Sequence, residues 1–283
     1  MKVSIIIPTL NAEFFLKQLL LSLNNQTLKP LEIIIIDSES DDNTVQIAKD
    51  LACKVIQILR KDFNHGKTRN LAAKSAKGDI ISFITQDALP ENIEYLQNLV
   101  QNIGKNNVAV SYGKQVAKKD ASEIEKFYRS FNYPDKALIK DKTMIPQLGV
   151  KTFFLSNVCS AYEKNIFWEL GGFPENTPTN EDMFFTFKAI MKDKKISYEP
   201  KARAIHSHPF SLKETYNRYY KIGIFFKKYP EINKYSSNEK EGKKLLFNLL
   251  KHLISKFRFH LIPLAMIEIF VKYYSYKKGY ARN

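Results

Sequence analysis

The chain has 283 residues, and 44% of them are hydrophobic, which is enough for a large buried core and excludes an intrinsically disordered protein. Its formal net charge is +15. Residues 212–283 hold sixteen Lys or Arg and five Asp or Glu, a net charge of +11, so the preceding 211 residues carry only +4. The first part is therefore typical of an ordinary globular domain, and the last part of a segment that meets anions.

Two further features narrow the class of protein. Cys53 and Cys159 lie far apart and form no CxxC motif, which excludes a disulfide framework and a zinc site of the usual spacing. The N-terminus lacks the long apolar region of a signal peptide. The longest late apolar stretch, residues 261–271, is too short for a transmembrane helix, which needs roughly 20 residues. We therefore expect a cytoplasmic protein.

Short apolar runs alternate with helical patterns over the first hundred residues. Runs of β-branched and aliphatic residues predict strands over residues 3–7, 32–36, 54–59 and 80–84, and helical patterns lie between them. This alternation predicts an α/β fold, with a mostly parallel sheet and helices on both of its faces. Beyond residue 150 we expect strands over residues 152–155, 196–198 and 202–205, and helices beyond residue 212.

Three of the predicted strands run directly into polar residues. These polar clusters are Pro8-Thr9-Leu10-Asn11, Asp37-Ser38-Glu39-Ser40 and Gln86-Asp87. Ligands of parallel α/β sheets bind outside the carboxyl ends of the strands. We therefore expect the three clusters to share one edge of the sheet and to line one site.

The acidic residues of this edge have two interpretations each. Asp37 ends a strand, where a carboxylate can bind the ribose or base of a nucleotide, whereas Asp41 and Asp42 have the position of helix caps. Asp87 is placed to hold Mg²⁺ or Mn²⁺ on a diphosphate, because such hard cations prefer oxygen ligands. It could equally start a turn before Pro90.

Later polar residues are candidates for the chemistry. Glu181 and Asp182 can supply a general base, or can simply stabilise a helix dipole at its N-terminus. His206 and His208 follow a predicted strand, and either one could complete a metal site or be a structural histidine. Arg69 can contact phosphate or base, or be a structural residue of its helix.

The order of these motifs resembles the family 2 glycosyltransferases of the GT-A fold over about residues 1–210. The resemblance implies a Rossmann-like catalytic domain with a nucleotide-sugar half, about residues 1–110, and an acceptor half, about residues 111–210. A basic helical extension, residues 211–283, follows it. The resemblance also implies an inverting single displacement, with Asp182 as base and Glu181 beside it, and Asp87 as the metal-binding aspartate. It further implies that Pro8, Thr9 and Asp37 line the nucleotide pocket. Asn11, Ser38, Ser40, Gln86 and Arg69 are additional nucleotide-sugar-binding candidates, which their positions in the polar clusters and on the predicted helix indicate.

The metal-binding element departs from the Asp-x-Asp pattern of the family. Here it reads Gln86-Asp87-Ala88-Leu89, with one acidic residue, which puts binding of a metal by two carboxylates in doubt. Asp87 with His206 or His208 would still hold Mg²⁺ or Mn²⁺. The Thr-Gln-Asp-Ala form resembles rhamnosyltransferase-like members of the family, so we expect dTDP-rhamnose as donor and surface polysaccharide synthesis as the process.

The C-terminal segment combines an apolar stripe at helical spacing with many lysines. Such a helix can lie on an anionic membrane surface, and related enzymes use lipid-linked saccharide acceptors, which predicts a peripheral protein of the inner face of the cell membrane. Packing of the stripe on the catalytic domain or on a second copy is the alternative. No nucleic-acid recognition motif accompanies the charge, so we expect no nucleic-acid partner.

Two other functions remain open from the sequence. A nucleotidyltransferase would need a glycine-rich loop after the first strand, and Pro8-Thr9-Leu10-Asn11-Ala12 contains no glycine. A non-catalytic sugar or nucleotide binder that kept the fold is compatible with the single Asp87, although it would not need Glu181 and Asp182. The acceptor, the linkage and the oligomeric state cannot be read from the sequence.

Overall fold

A computed structural model describes residues 1–207, 210–235 and 238–282, with only the backbone of residues 238–240. The N-terminal part of the chain alternates strands with helices. Its elements are β1 (Val3–Thr9), α1 (Glu13–Asn24), β2 (Glu32–Asp37), α2 (Thr44–Asp50), β3 (Lys54–Gln57), α3 (His65–Lys74), β4 (Ile80–Ile84), β5 (Leu89–Pro90) and α4 (Tyr95–Val100). The four strands expected from apolar runs are thus confirmed. The β-branched residues of β1, β2 and β4 are buried, as expected for strands covered on both faces, whereas those of β3 are half-buried.

The second part is less regular. Its elements are β6 (Val108–Val116), α5 (Glu123–Asn132), β7 (Leu138–Lys140), α6 (Ile145–Leu148), β8 (Cys159–Glu163), α7 (Lys164–Glu169), α8 (Glu181–Met191) and β9 (Lys195–Ile205). The strand expected at residues 152–155 is wrong, because Gly149–Phe153 is a 3₁₀ helix. The two short strands expected near residue 200 are one continuous strand, β9.

In the described part of the chain, nine strands form one sheet. The strand order is β3-β2-β1-β4-β8-β6-β9-β5, and β7 also pairs with β9. β1, β2, β3 and β4 are mutually parallel, and so are β6 and β9, whereas β8 runs antiparallel between β4 and β6. The parallel half places the carboxyl ends of β1, β2 and β4 at one edge, as predicted.

Helices cover both faces of the sheet. Alternate strand residues point to opposite sides, so Ile5 and Ile7 pack with Leu16 and Leu20 of α1, whereas Ile6 joins a cluster on the other side. The second face is rich in aromatic rings, among which Phe83, Tyr162 and Phe173 meet within 5.6 Å of one another, centroid to centroid. The doubly covered α/β architecture expected from the sequence is therefore confirmed.

The C-terminal part is helical, as predicted. Its elements are α9 (Leu212–Lys228), α10 (Pro230–Asn233), α11 (Asn238–Ser255) and α12 (Ile262–Ala281), with a 3₁₀ turn at Phe259–Leu261. α9 opens with a capping box, in which Ser211 and Glu214 satisfy each other's backbone N–H groups. No helix of the described residues is long and apolar enough to cross a membrane.

Candidate active site

The loops after β1 and β4 are held together by one side chain. The Gln86 amide nitrogen donates to the carbonyl oxygen of Leu10 at 3.0 Å, and the backbone N–H of Leu10 donates to the Gln86 amide oxygen at 2.8 Å. Pro8 lies one residue from the end of β1, in register with Ile36 of β2. Two of the polar clusters predicted at this edge are thus adjacent.

Asp37 organises the loop that follows β2. Its carboxylate is fully buried and accepts hydrogen bonds from the Thr9 hydroxyl at 2.9 Å, from the Ser40 backbone N–H at 2.9 Å and from the Ser40 hydroxyl at 2.5 Å. The charge is stabilised by three donors, which offsets the cost of burying it. The carboxylate therefore fixes the conformation of the chain at the ends of β1 and β2.

Asn11 and Ser40 connect the same two loops. The Asn11 backbone N–H donates to the Ser40 hydroxyl at 2.8 Å, and the Asp41 backbone N–H donates to the Asn11 side-chain oxygen at 2.9 Å. Ser38 is buried beside them, and its hydroxyl has no hydrogen-bond partner among the described residues. A buried polar group of this kind needs a partner, so it favours a polar ligand here.

Asp87 and His206 meet at the ends of β4 and β9. The His206 Nε2 atom lies 3.3 Å from the nearer carboxylate oxygen of Asp87, and the two side chains are only 9% and 12% exposed. The chain segments that carry them lie 119 residues apart in sequence, so only the fold brings them together. His208, the other predicted metal ligand, lies outside the described residues.

Gln115 fixes the orientation of the His206 ring. Arg129 donates to the Gln115 amide oxygen, and the Gln115 amide nitrogen donates to the Tyr133 and Ser156 hydroxyls at 2.5 and 2.9 Å. Because this oxygen is an acceptor, the His206 Nδ1 atom, 3.0 Å from it, is the donor. In the neutral ring Nε2 then presents its lone pair toward Asp87.

This arrangement fits a divalent cation. A lone pair facing a carboxylate is relieved by a proton or by a metal ion between them, and metal-bound histidines usually donate their other N–H to an oxygen. Among residues 1–207, 210–235 and 238–282 no cluster of three or more His, Cys, Asp or Glu is spaced to hold a metal. One carboxylate and one imidazole suit Mg²⁺ or Mn²⁺, which keep waters and phosphate oxygens as further ligands.

Glu181 is a buried carboxylate held by two partners at the start of α8. The Arg69 guanidinium lies 3.3 Å from it, and the Asn157 side-chain amide donates to it at 3.0 Å. Burial alone would raise the pKa of Glu181, but Arg69, His65 and Asn157 outweigh this effect and lower it. Glu181 is therefore negatively charged at neutral pH.

The pKa of Asp182, the next residue, is shifted in the opposite direction. Its two carboxylate oxygens accept the backbone N–H groups of Asn157 at 3.1 Å and of Met183 at 2.8 Å. Burial, and then the negative charge of Glu181, nevertheless raise its pKa to about 7. Asp182 is half-buried, whereas Glu181 is buried. The pair thus combines a fixed negative charge with a carboxylate that can exchange a proton near neutral pH.

Arg69 lies beside Glu181, and its expected contact with the nucleotide stays a prediction. Its guanidinium also donates to the backbone oxygen of His65 at 3.1 Å. Burial lowers the pKa of the His65 imidazole, and Arg69 adds to this effect while Glu181 opposes it. His65, to which we assigned no role from the sequence, therefore belongs to the surroundings of the acidic pair.

Two residues essential to this geometry have no motif. Asn157 bridges Glu181 and Asp182, and its side-chain oxygen accepts from the Ser160 and Tyr162 hydroxyls at 2.9 and 2.7 Å, which orients its amide. Gln115 gave no signal, because its partners His206 and Arg129 become neighbours only in the folded sheet.

Comparisons with known proteins identify the family of the chain. The family model described as glycosyl transferase family 2 matches residues 4–171, more than half of the chain. The O-antigen chain rhamnosyltransferase RfbN of Salmonella typhimurium is 39% identical over 282 residues, which is 99% of this chain and 90% of RfbN. The O-antigen chain rhamnosyltransferase WbaN of Salmonella anatum is 37% identical over 98% of this chain and 88% of WbaN.

Solved structures share the fold. The mannosyltransferase PcManGT from Pyrobaculum calidifontis, in complex with GDP-Man and Mn²⁺, superposes with a TM-score of 0.60 at 16% identity over 99% of this chain and 73% of that one. TarS 1–349 of S. aureus, in complex with UDP-GlcNAc, gives 0.59 at 20% identity over 99% and 90%. The chain belongs to glycosyl transferase family 2 and is a glycosyltransferase of the GT-A fold.

Proposed function

We propose that the enzyme transfers rhamnose from dTDP-rhamnose to a growing surface polysaccharide, with inversion at the anomeric carbon. The observation that carries the reaction type is the Glu181–Asp182 pair, in which one carboxylate is fixed as a charge and the other has its pKa raised to about 7. The sugar is supported by the likeness to RfbN and WbaN, both named O-antigen chain rhamnosyltransferases, over nearly the whole chain.

Asp182 acts as the general base of a single displacement. Its carboxylate takes the proton of the acceptor hydroxyl while that oxygen forms a bond to the anomeric carbon. The bond between the anomeric carbon and the phosphate oxygen breaks, and the nucleoside diphosphate leaves with the bonding electron pair. Asn157 holds Asp182 through its backbone N–H, so the base keeps its direction.

Glu181 and Arg69 set the protonation state of the base. Their contact at 3.3 Å keeps a negative charge beside Asp182, which raises its pKa toward the working pH and makes it a stronger base. We therefore assign Glu181 a supporting role at the catalytic aspartate, and Arg69 a role in holding Glu181 charged. Contact of Arg69 with the donor nucleotide stays a prediction.

Asp87 and His206 would hold Mg²⁺ or Mn²⁺ at the diphosphate. The cation would neutralise the charge that develops on the leaving diphosphate. The fixed lone pair of His206 beside the Asp87 carboxylate supports this assignment despite the single aspartate of the element. His208 stays a predicted ligand that the described residues do not include.

The donor nucleotide would bind at the ends of β1, β2 and β4. Thr9, Asn11, Asp37, Ser40 and Gln86 shape this pocket through the hydrogen bonds that join their loops. Pro8 and the buried hydroxyl of Ser38 lie at the same strand ends, which favours their contact with the nucleotide.

The acceptor is proposed to be a lipid-linked saccharide at the inner face of the cell membrane. The names of RfbN and WbaN, O-antigen chain rhamnosyltransferases, support a saccharide acceptor, and the positive charge of the C-terminal helices supports the membrane location. The residues of the second part of the chain, about 111–210, would form the acceptor half of the catalytic domain, and those from 211 onward its extension.

Donor hydrolysis tests the proposal directly. Release of nucleoside diphosphate would be measured from dTDP-rhamnose and from UDP- and GDP-sugars, with and without Mn²⁺ or Mg²⁺, for the wild type and for Asp182→Asn. We expect slow release from dTDP-rhamnose that depends on the cation and falls about a hundredfold or more in the variant. Release from another donor only would overturn the sugar assignment, and equal rates in the variant would overturn the base.

A further inference from the structure

α12 has one packed face and one exposed apolar face. Gly279 is buried against α9, Ala265 is buried against α5 and α11, and Ser275 is also buried. The opposite side carries large apolar residues at helical spacing, each between 48% and 65% exposed: Met266, Ile267, Phe270, Tyr273 and Tyr274. A contiguous apolar face on the surface of a protein marks a contact site.

The turn between α11 and α12 also exposes large apolar side chains. Ile254, Phe257 and Phe259 are 50%, 80% and 54% exposed, and they alternate with the exposed basic residues Lys256, Arg258 and His260. The rings of Phe257 and Phe259 lie 6.3 Å apart, edge to face. We call residues 254–260, together with the exposed apolar side chains of α12, the aromatic–basic face.

The positive charge of this region favours an anionic partner. Residues 241–282 hold nine Lys or Arg and two Glu, and both glutamates are engaged, Glu241 with Lys151 and Glu268 with Lys272. A second copy would bring the same positive charge to the contact. An anionic bilayer instead offers an apolar interior to the aromatic rings and phosphate groups to the basic side chains.

We propose that the aromatic–basic face docks the enzyme on an anionic lipid bilayer. Phe257, Phe259 and Phe270 enter the boundary between headgroups and acyl chains, and Lys256 and Arg258 bind lipid phosphates. The proposal rests on the proposed function in one respect, since a lipid-linked acceptor gives the docking its purpose. The geometry of the face does not depend on the identity of the sugar.

The face is connected to the active site by two packed helices. Lys272 of α12 lies over the ring of Tyr128 on α5, 3.6 Å from its centroid, and 5.8 Å from that of Tyr219 on α9. α5 also carries Arg129, which holds Gln115 and through it His206. Docking through α12 would therefore fix the height and tilt of the catalytic site above the membrane.

Vesicle sedimentation of the full chain tests the docking. The probes are vesicles of phosphatidylcholine, with and without phosphatidylglycerol. We expect binding only to the anionic vesicles, weakened by salt, and about a tenfold loss of partition in the double variant Phe257→Ser/Phe270→Ser. Lys256→Glu/Arg258→Glu should lose binding to a similar extent.

Matched control variants lie on or just after α1, which belongs to the opposite end of the chain. Phe14 and Leu21 are 87% and 46% exposed, and Lys17 of α1 and Lys29, which follows it, are exposed, so Phe14→Ser/Leu21→Ser and Lys17→Glu/Lys29→Glu make comparable double changes elsewhere. Both should bind anionic vesicles as the wild type does. Equal losses in face and control variants would overturn the proposal, and so would a wild type that stays in the supernatant.

Three further outcomes separate the alternatives. A concentration-dependent dimer that the face variants abolish would replace the bilayer with a second copy, and displacement by DNA at equal affinity would replace it with a nucleic acid. Donor hydrolysis should be unchanged in the face variants. Vesicle binding without any donor hydrolysis would contradict the proposed function and leave the docking intact.

Discussion

The adjacent carboxylates of Glu181 and Asp182 differ because their neighbours differ. Glu181 receives a guanidinium and a side-chain amide, whereas Asp182 receives two backbone N–H groups and the repulsion of Glu181. Two titratable groups whose environments push their pKa values apart are the pattern expected of an acid–base site. The same pattern predicts how the reaction depends on pH.

Glu181→Gln should move the acid limb of the pH–rate profile. Asp182 must be ionised to accept a proton, so activity of the wild type should fall as the pH drops through about 7. The substitution removes the negative charge that raises this pKa and leaves Arg69 unpaired, and both changes lower the pKa of Asp182. We expect the limb to move down by about one pH unit or more, measured as transfer rate between pH 5 and 9.

The position of the acid limb in the pH–rate profile distinguishes a lowered pKa of Asp182 from a loss of folded protein. Breaking a buried ion pair destabilises a fold by about 3–5 kcal/mol, so circular dichroism would report the folded fraction at each pH. A lower rate at every pH with an unmoved limb would contradict the role of Glu181. Asp182→Asn should lose the limb altogether together with the activity.

Gln115→Leu should weaken metal binding without touching a ligand. Leucine cannot accept from Arg129 or from His206 Nδ1, so the imidazole loses the contact that fixes its tautomer and its direction. Loss of such an outer partner costs about 10–100-fold in metal affinity. Mn²⁺ titration followed by electron paramagnetic resonance would measure this loss in the absence of substrate.

Two further variants serve as the positive and the negative control of the Mn²⁺ titration. His206→Ala removes a proposed ligand and should weaken Mn²⁺ binding at least as much as Gln115→Leu. Asn102→Leu alters a comparable polar network away from the site, in which Asn102 bonds to Ser197 and Glu199, and should leave Mn²⁺ binding unchanged. Wild-type Mn²⁺ affinity in Gln115→Leu would show that the ring is oriented by other means.

The sequence predicts which strand ends meet but not which side chains bond. Thr9, Asp37, Gln86 and Asp87 each follow or end an apolar strand, and parallel strands necessarily place such residues at one edge. The ion pair of Arg69 with Glu181 could not be predicted, because nothing in the local sequence shows a partner 112 residues away. Long-range polar pairs of this kind are decided by the packing of the folded sheet.

At the scale of elements, α9 and α12 pack unusually closely through two glycines. A Cβ atom at Gly223 would lie 2.2 Å from the carbonyl oxygen of Tyr276, and one at Gly279 would lie 2.0 Å from that of Tyr220. Both neighbouring atoms belong to helix backbones, which cannot move aside without separating the helices. Glycine is therefore required at both positions by the contact and not by backbone conformation.

Gly223→Ala and Gly279→Ala should each destabilise the enzyme by about 1–3 kcal/mol, since overpacking forces the two helices apart. Urea unfolding would measure the change. Gly242→Ala is the matched control, because no heavy atom lies within 4 Å of a Cβ atom there. It lies inside α11, where alanine favours the helix by about 0.5–1 kcal/mol, so this variant should be unchanged or more stable.

The elements that the sequence failed to predict share one cause. β6 and β8 contain Gln115 and Ser160, whose burial depends on hydrogen bonds that composition cannot show. Phe153 has the residue type of a strand but ends a 3₁₀ helix, where its ring meets Phe187 and Tyr235. Tertiary contacts override local propensity at these places.

At the scale of the whole molecule, the boundary in charge along the chain is not a boundary of the hydrophobic core. The sequence boundary near residue 210 follows the charge, since +11 of the net +15 lies beyond it. The hydrophobic core does not stop there, because Phe225, Phe226 and Ile232 are buried in the same cluster as Phe153 and Phe185. The domain division at residue 210 stays a prediction, and this packing gives the means to test it.

Heating should unfold the enzyme in one transition. Three buried side chains of α9 and α10 contribute about 1.5–3 kcal/mol each to the core they share with the catalytic elements, so neither part can unfold without exposing the other. A chain that ends at residue 210 should therefore unfold at a lower temperature, or fail to fold. One ending at residue 235 keeps that core and should retain more stability, although it loses α11 and α12. Two separate calorimetric transitions in the full chain would instead support independent folding of residues 1–210 and 211–283.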